Sequence, residues 1–418
     1  MGATDQAGDA SDGGAAALDA FCALAVEDLA LQAEVRRPDC ADETTFLTRL
    51  LELARERGFA FTADDVRHAM RERALALEGV VAAAVKETKS PPDGWLPIRA
   101  SWQSGELYAH WAYFGARRLR DPFFEGDVRW CLGQPFNRLF RYVTAVDKLA
   151  AWLDTRPHLQ PSGFIFHMSR CGSTLVSQML AALDSNIVVS EASPIDGVVQ
   201  AYLANPDLGG ERQRRWLRSI VGALGQQRCG DERRYFIKLD CWHSVALPLF
   251  RRAFPAVPWI FLYRDPVEVI VSQLRMPGAQ MLPHGIGPNF HAIERSYGPG
   301  TAEDYFAQVL RKICEPAVAH LGEGGLLVNY RELPEAVFST ILPHFGVASG
   351  AADRAAMMAA TRFDAKVPGF DFAPDSAAKQ RAASPAARAA AERWLGGLYG
   401  RLEALRAVPG AKRQSMIH

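Results

Sequence analysis

Phe164-Ile165-Phe166-His167-Met168-Ser169-Arg170-Cys171-Gly172-Ser173-Thr174-Leu175 is an apolar, β-rich run that turns through a glycine into a helical stretch over 175–183. The first N–H groups of a helix lack internal partners and its end carries about half a positive charge, so such a joint favours an oxyanion. Gly172 lets the backbone approach that anion, Ser173 and Thr174 add hydroxyl donors, and Arg170 adds a charged one. Outward from this joint, β-rich runs at 164–168, 187–190, 235–239, 259–263 and 326–329 alternate with helical stretches. That alternation predicts an α/β fold: a P-loop-type parallel sheet flanked by helices, with ligands at the carboxyl ends of its strands.

Nucleoside triphosphatases place a lysine after the last glycine of GxxxxGK[ST] to reach the outer phosphates. Here Ser173 stands in that place, and the upstream Gly163 is at the wrong spacing. A second strand-to-helix joint, Trp259-Ile260-Phe261-Leu262-Tyr263-Arg264-Asp265-Pro266, leads to Ser272. Arg264 offers a planar fork for a phosphate, Pro266 suits a first helical turn, and Ser272 lies about two turns onward.

Ser169 to Leu175 resembles the 5′-phosphosulfate loop of sulfotransferases that use 3′-phosphoadenosine 5′-phosphosulfate (PAPS), commonly P-[RK]-[ST]-G-[ST]-[ST]. Ser169 replaces the proline and Cys171 the hydroxyl residue, and a thiol is a weak donor, so Cys171 is assigned to the loop alone. The Arg264 joint resembles the family's 3′-phosphate site, and the resemblance spans about 163–405. It implies a sulfotransferase fold, PAPS as donor, and sulfuryl transfer to a hydroxyl or amine. Donor contacts would come from Arg170, Cys171, Gly172, Ser173, Thr174, Arg264, Ser272 and Lys379.

Sulfuryl transfer needs the acceptor's proton removed and the bridging oxygen of the leaving phosphate neutralised. Lys238 in Tyr235-Phe236-Ile237-Lys238-Leu239-Asp240 resembles the family's third-strand lysine and joins Arg170 on the leaving side. For the base, the order is Glu191, where several members place a carboxylate, then Asp240, where cytosolic members carry histidine, then His243. Each is equally readable as a cap or a structural hydrogen-bonding group. The Pro/Gly-rich stretch 276–300, with His284 and His291, is expected as a lid.

The rest of the 418 residues bound the answer. Forty-seven basic and forty-seven acidic residues cancel, so no global field gathers nucleic acid or anionic membrane. Seven scattered cysteines without CxxC pairs predict neither a disulfide framework nor a zinc site, and no metal is expected. Residues 1–17 are small, polar and acidic, unlike a signal peptide, and are expected as a disordered tail on a cytoplasmic protein.

Helical periodicity over 18–36, 42–57 and from Thr62 predicts a small all-α domain at 18–80, in which Glu27-Asp28-Leu29-Ala30-Leu31-Gln32 followed by Ala54-Arg55-Glu56-Arg57-Gly58-Phe59-Ala60-Phe61-Thr62 resembles, over about 18–76, a Nif-eleven-type leader domain. That likeness implies a peptide or natural-product setting. Lys89-Ser90-Pro91-Pro92-Asp93-Gly94 is expected as a linker and domain boundary. Beyond it, 95–102 and 107–111 flank a glycine turn as a β-hairpin. This opens an aromatic-rich accessory region at 93–150, either core or acceptor pocket, before a sulfotransferase domain at 160–410. The acceptor, small molecule or peptide, and the oligomeric state are not legible. Two rival readings stay open: a P-loop kinase using magnesium-ATP, and an inactive module that binds a peptide or nucleotide.

Overall fold

The computed structural model describes residues 6–37, 42–78, 87–204, 210–282, 286, 301–322, 324–364 and 373–408. The chain divides into two compact units, Met1–Arg117 with Gly126–Trp152, and Arg118–Glu125 with Leu153–His418.

The first unit begins with helices α1 (Gln6–Glu27), α2 (Leu29–Val35), α3 (Glu43–Glu56) and α4 (Ala63–Glu78). Helix α1 starts inside the stretch expected as a disordered tail, because the alanine-rich run has high helix propensity despite its glycines. The single helix expected over 18–36 breaks at Asp28, whose Oδ1 accepts the N–H groups of Ala30 at 2.9 Å and Leu31 at 3.0 Å and caps α2. Thr62 and Asp65 form a reciprocal box ahead of α4.

The hairpin is present as β1 (Trp95–Gln103) against β2 (Glu106–Tyr113), and β3 (Tyr142–Ala145) extends it antiparallel to β2. Ser104 at φ 52° and Gly105 at φ 81° close its turn in the left-handed region that a two-residue hairpin demands. The aromatic segment is core: Trp95, Trp111 and Tyr142 are buried, and the rings of Trp95 and Tyr142 meet edge-on at 4.7 Å. Tyr142 donates to the Val26 carbonyl and accepts from Gln32 Nε2, both at 2.6 Å. Arg36 lies 3.9 Å over the Tyr113 ring. These contacts lie within one compact unit, in which Trp152 Nε1 also donates to Pro91 O at 2.9 Å.

Among its described residues, the second unit contains five strands: β4 (Gly163–His167), β5 (Asn186–Ser190), β6 (Arg234–Lys238), β7 (Trp259–Tyr263) and β8 (Gly325–Asn329). They form one parallel sheet in the order β5-β6-β4-β7-β8. Every residue of β4, β5 and β7 is buried, as expected for strands covered on both faces, and this is why they appear in the sequence as unbroken apolar runs. The chain leaves central β4 for the far edge at β5, returns through β6, and then crosses to β7 on the other side. That reversal opens a crevice at the carboxyl ends of β4, β6 and β7. Helices α5 (Ser173–Ala181) and α6 (Pro266–Arg275) start at this crevice, and α7 (Gly397–Ala407) ends the described chain. Most of the expected lid, with His284 and His291, lies outside the described residues.

Candidate anion-binding and transfer site

Strand β4 ends at His167, and the loop to α5 is wound from left-handed residues: Ser169 at φ 79°, Arg170 at 51° and Gly172 at 84°. A non-glycine residue there costs on the order of 1–3 kcal/mol, so the surroundings must fix it. They do so through His167, whose Nδ1 accepts the Ser169 N–H at 3.1 Å while Nε2 meets the Leu239 carbonyl at 2.9 Å. The backbone donor makes Nδ1 the acceptor, so the Nε2–H donates. Ser169 Oγ accepts from Gln273 Nε2 at 3.0 Å and Gln280 Nε2 at 3.1 Å. Proline in place of Ser169 would remove both its N–H and its hydroxyl contacts, so the departure from the family pattern is built into this loop. Cys171 sends its buried thiol to the Leu262 carbonyl at 3.2 Å. A Cβ on Gly172 would come within 2.8 Å of Leu333 Cδ1 and 2.9 Å of Tyr330 Cδ2, so glycine is required by space as well as by φ.

Arg264 follows β7, and Asp265 caps α6 by accepting the N–H groups of Val267 and Glu268. The guanidinium donates from Nε to Glu268 at 2.6 Å and from Nη2 to Asp375 Oδ1 at 2.7 Å and Ser376 Oγ at 2.9 Å, and lies 4.0 Å over the Tyr330 ring. Burial works against its charge, but the bonds to Asp375 and Glu268 outweigh burial and raise its pKa. Lys379 is buried, with Nζ 2.6 Å from Asp375 Oδ2. Arg170 donates to the Met276 carbonyl at 2.7 Å, and burial lowers its pKa.

Beyond β5, Glu191 takes a left-handed φ of 55° and donates its N–H to the Lys238 carbonyl at 2.7 Å. Its carboxylate pairs with Lys238 Nζ and stands 3.5 Å from His167 Nε2. Burial opposes the negative charge, yet the Lys238 ammonium and His167 prevail and hold Glu191 well below the usual carboxylate range. Lys238 is fully buried, 4.8 Å over the Phe123 ring, and does not border the cavity; Glu191 stands in front of it where the sequence placed a contact to the leaving group.

Asp240 is buried, and desolvation, against the pull of His243 and with the push of Glu191 and Asp196, takes its carboxyl up to about 8. His243 Nε2 lies 2.9 Å from Asp196 Oδ1 and 3.6 Å from Asp240 Oδ2. It is fully buried and does not border the cavity. Asp196, Asp240 and His243 hold ligand-type atoms within 4.8 Å of one another. Within it Asp196 Oδ1 already accepts from His243, Trp242 and Gln200, while His243 Nδ1 is buried and, among the described residues, without a hydrogen-bond partner.

One cavity of about 390 Å³ joins these groups. Arg170, Cys171, Gly172, Ser173 and Thr174 line it together with Arg264, Ser272 and Lys379. Glu191, Asp240, Trp242 and Phe123 also line it. The sequence reading missed His167, Tyr330, Phe123 and Asp375. His167 ends an apolar strand and Tyr330 follows another, which is a usable signal; nothing local marks Phe123.

No family model matches the sequence, and no curated protein matches it. Among solved structures, the chain is similar to the sulfotransferase domain from the curacin biosynthetic pathway, with TM-score 0.33 and 16% identity over 62% of this chain and 97% of that one. It is similar to the sulfotransferase domain of the Synechococcus PCC 7002 olefin synthase, with TM-score 0.33 and 17% identity over 61% and 98%. A sulfotransferase from Mycobacterium avium aligns with TM-score 0.37 and 14% identity over 60% and 81%. Superpositions this loose say nothing of chemistry; the parallel sheet and the loop stand on their own geometry.

Proposed function

We propose that the chain transfers a sulfuryl group from PAPS to a hydroxyl or amine acceptor. What supports this reading is that one cavity is lined both by the loop 169–174, wound through left-handed residues, and by Arg264, Ser272 and Lys379, two sets of donors that suit anions. A donor with phosphate-type groups at both ends suits that arrangement, and the volume falls in the range of small-ligand sites. The loop amides and Arg170 would hold the phosphosulfate, and Arg264 with Lys379 the 3′-phosphate.

Asp240 is the better proton acceptor, since it borders the cavity and its pKa lies near neutrality, whereas Glu191 is held ionised by Lys238. In the step, Asp240 takes the acceptor's proton and the acceptor's heteroatom bonds to sulfur. The bond from sulfur to the bridging oxygen breaks, and its electron pair leaves with the phosphate, stabilised by the loop donors. The resemblance of residues 18–76 to a leader domain favours a natural-product or peptide acceptor.

The test is a thermal-shift titration of wild type and Arg264→Ala with adenosine 3′,5′-bisphosphate, against ATP with magnesium. At a hundred times its dissociation constant, a bound ligand stabilises by about 2.7 kcal/mol. Stabilisation by the bisphosphate that disappears in Arg264→Ala is the expected result. Stabilisation by magnesium-ATP alone would replace this reading with a kinase.

A further inference from the structure

Asp375 sits between the two cations of the proposed phosphate end. Its Oδ1 is 2.7 Å from Arg264 Nη2 and its Oδ2 is 2.6 Å from Lys379 Nζ, so one carboxylate bridges both with separate oxygens. A phosphate bound there would use two of its oxygens in the same way. The arginine fork has no vacant pair of donors to offer a second anion: Nε is on Glu268, Nη2 is on Asp375 and Ser376, and Nη1 points to the Arg170 carbonyl at 3.4 Å. A phosphate gripped by two donors of this fork must displace one of their present partners, and Asp375 is the partner that holds Lys379 as well.

The two carboxylates differ in how easily they leave. Glu268 is buried on α6, with its side chain 10% exposed, and also accepts from Gln380 Nε2 at 3.3 Å. The Asp375 side chain is 46% exposed, so water receives it at little cost when its cations are taken.

We infer that Asp375 is an internal competitor for the Arg264–Lys379 subsite, so that a dianionic phosphomonoester opens it while a group of single negative charge does not. The inference rests on the donor assignment above and adds to it the residue that sets which anion is admitted. A monoanion brings no more charge than Asp375 already supplies; a dianion brings one more charge and a third oxygen. Among the described residues, the charged and titratable groups around Asp375 are Arg264 after β7, whose guanidinium also holds Glu268 on α6, Lys379 in the helix Ser376–Ala382 that Asp375 precedes, and Tyr330 after β8. Burial pushes its carboxyl up, but the bonds from Lys379 and Arg264 prevail and hold it below its ordinary value. Asp375 therefore stays ionised at pH 5.5, where a phosphate with a second pKa of about 6 has become largely a monoanion.

The experiment is isothermal titration calorimetry of the full chain at fixed ionic strength. Adenosine 3′,5′-bisphosphate and adenosine 5′-phosphate are each titrated into wild type, Asp375→Asn, Asp375→Ser and Arg264→Ala. The expected result is bisphosphate binding about tenfold tighter in both Asp375 variants, equivalent to about 1.4 kcal/mol, with adenosine 5′-phosphate unchanged. Lowering the pH from 7.5 to 5.5 should weaken the bisphosphate more in wild type than in Asp375→Asn. Unchanged or weaker bisphosphate binding in both Asp375 variants, with binding still lost in Arg264→Ala, would overturn the competitor role and leave the donor assignment standing. No bisphosphate binding to any form would overturn both. Since Asp375 is half exposed, its asparagine variant should fold, and circular dichroism of each variant checks this.

Discussion

Asp240 and Glu191 are two carboxyl groups on one cavity wall with opposite fates. Glu191 has an ammonium of its own in Lys238, while among the described residues the Asp240 carboxyl accepts no hydrogen bond, and His243 Nε2, 3.6 Å away, is already engaged by Asp196. Desolvation therefore dominates at Asp240 and its pKa rises to about 8. Two consequences have opposite signs in pH. As a base it acts ionised, so transfer to a phenol acceptor should rise with pH towards an apparent pKa near 8. Asp240→Asn should lower kcat by about 10²- to 10⁴-fold and remove that limb. In stability, the folded state binds a proton between about 4 and 8 that the unfolded chain does not, so this group's contribution is full at low pH and is lost as pH rises through about 8. The difference in melting temperature between Asp240→Asn and wild type should grow in the variant's favour across pH 5 to 8. A flat difference would remove the raised pKa from the argument. Both carboxylates were legible in the sequence as candidates; which one is matched to neutral pH was not. That depends on Lys238 reaching across from β6 to Glu191, a long-range pairing that local spacing does not encode.

Among elements, the two joints were the most legible, because a buried parallel strand followed by a helix start leaves an apolar run, a glycine or proline, and a cap in consecutive positions. Gly172, Asp265 and Pro266 occupy those positions in the structure. The shared core of the first unit was not legible, since Tyr142 meets Val26 and Gln32 across more than a hundred residues.

Helix α7 shows the same limit, because what anchors it comes from strands and loops far away in the sequence. Its anchor is Glu403, which accepts from Tyr263, from Asn329 Nδ2 at 2.9 Å, and from Arg331 and Arg406. Burial opposes its charge, but these donors hold the Glu403 carboxyl down at about 2. The stabilisation is present above its ordinary value near 4.5 and is lost as pH falls towards 2. Glu403→Gln should cost about 2–3 kcal/mol in urea unfolding at pH 7, and the gap should narrow by pH 3. A gap that persists unchanged at pH 3 would mean that shape, rather than charge, holds α7.

At the scale of the whole chain, the second unit alone supplies every lining residue of the cavity, Phe123 included, because Arg118–Glu125 belongs to it while the flanking sequence belongs to the first unit. Donor binding should then be visible as local protection in one unit. Loop amides at 169–174 become ligand partners, and those of α6 are steadied through Arg264 and Ser272, while the β1–β2 hairpin has no contact to gain. Hydrogen exchange with saturating adenosine 3′,5′-bisphosphate should slow peptides covering 169–181 and 264–275 at least several-fold, and leave peptides of 95–113 at their free rates. Protection spread equally over both units would mean that the ligand acts on a cooperative whole, and the first unit would then have to be treated as part of the donor-responsive structure. Protection absent from 169–181 but present elsewhere would move the donor site away from the loop altogether, and with it the assignment of Arg264 as the phosphate fork.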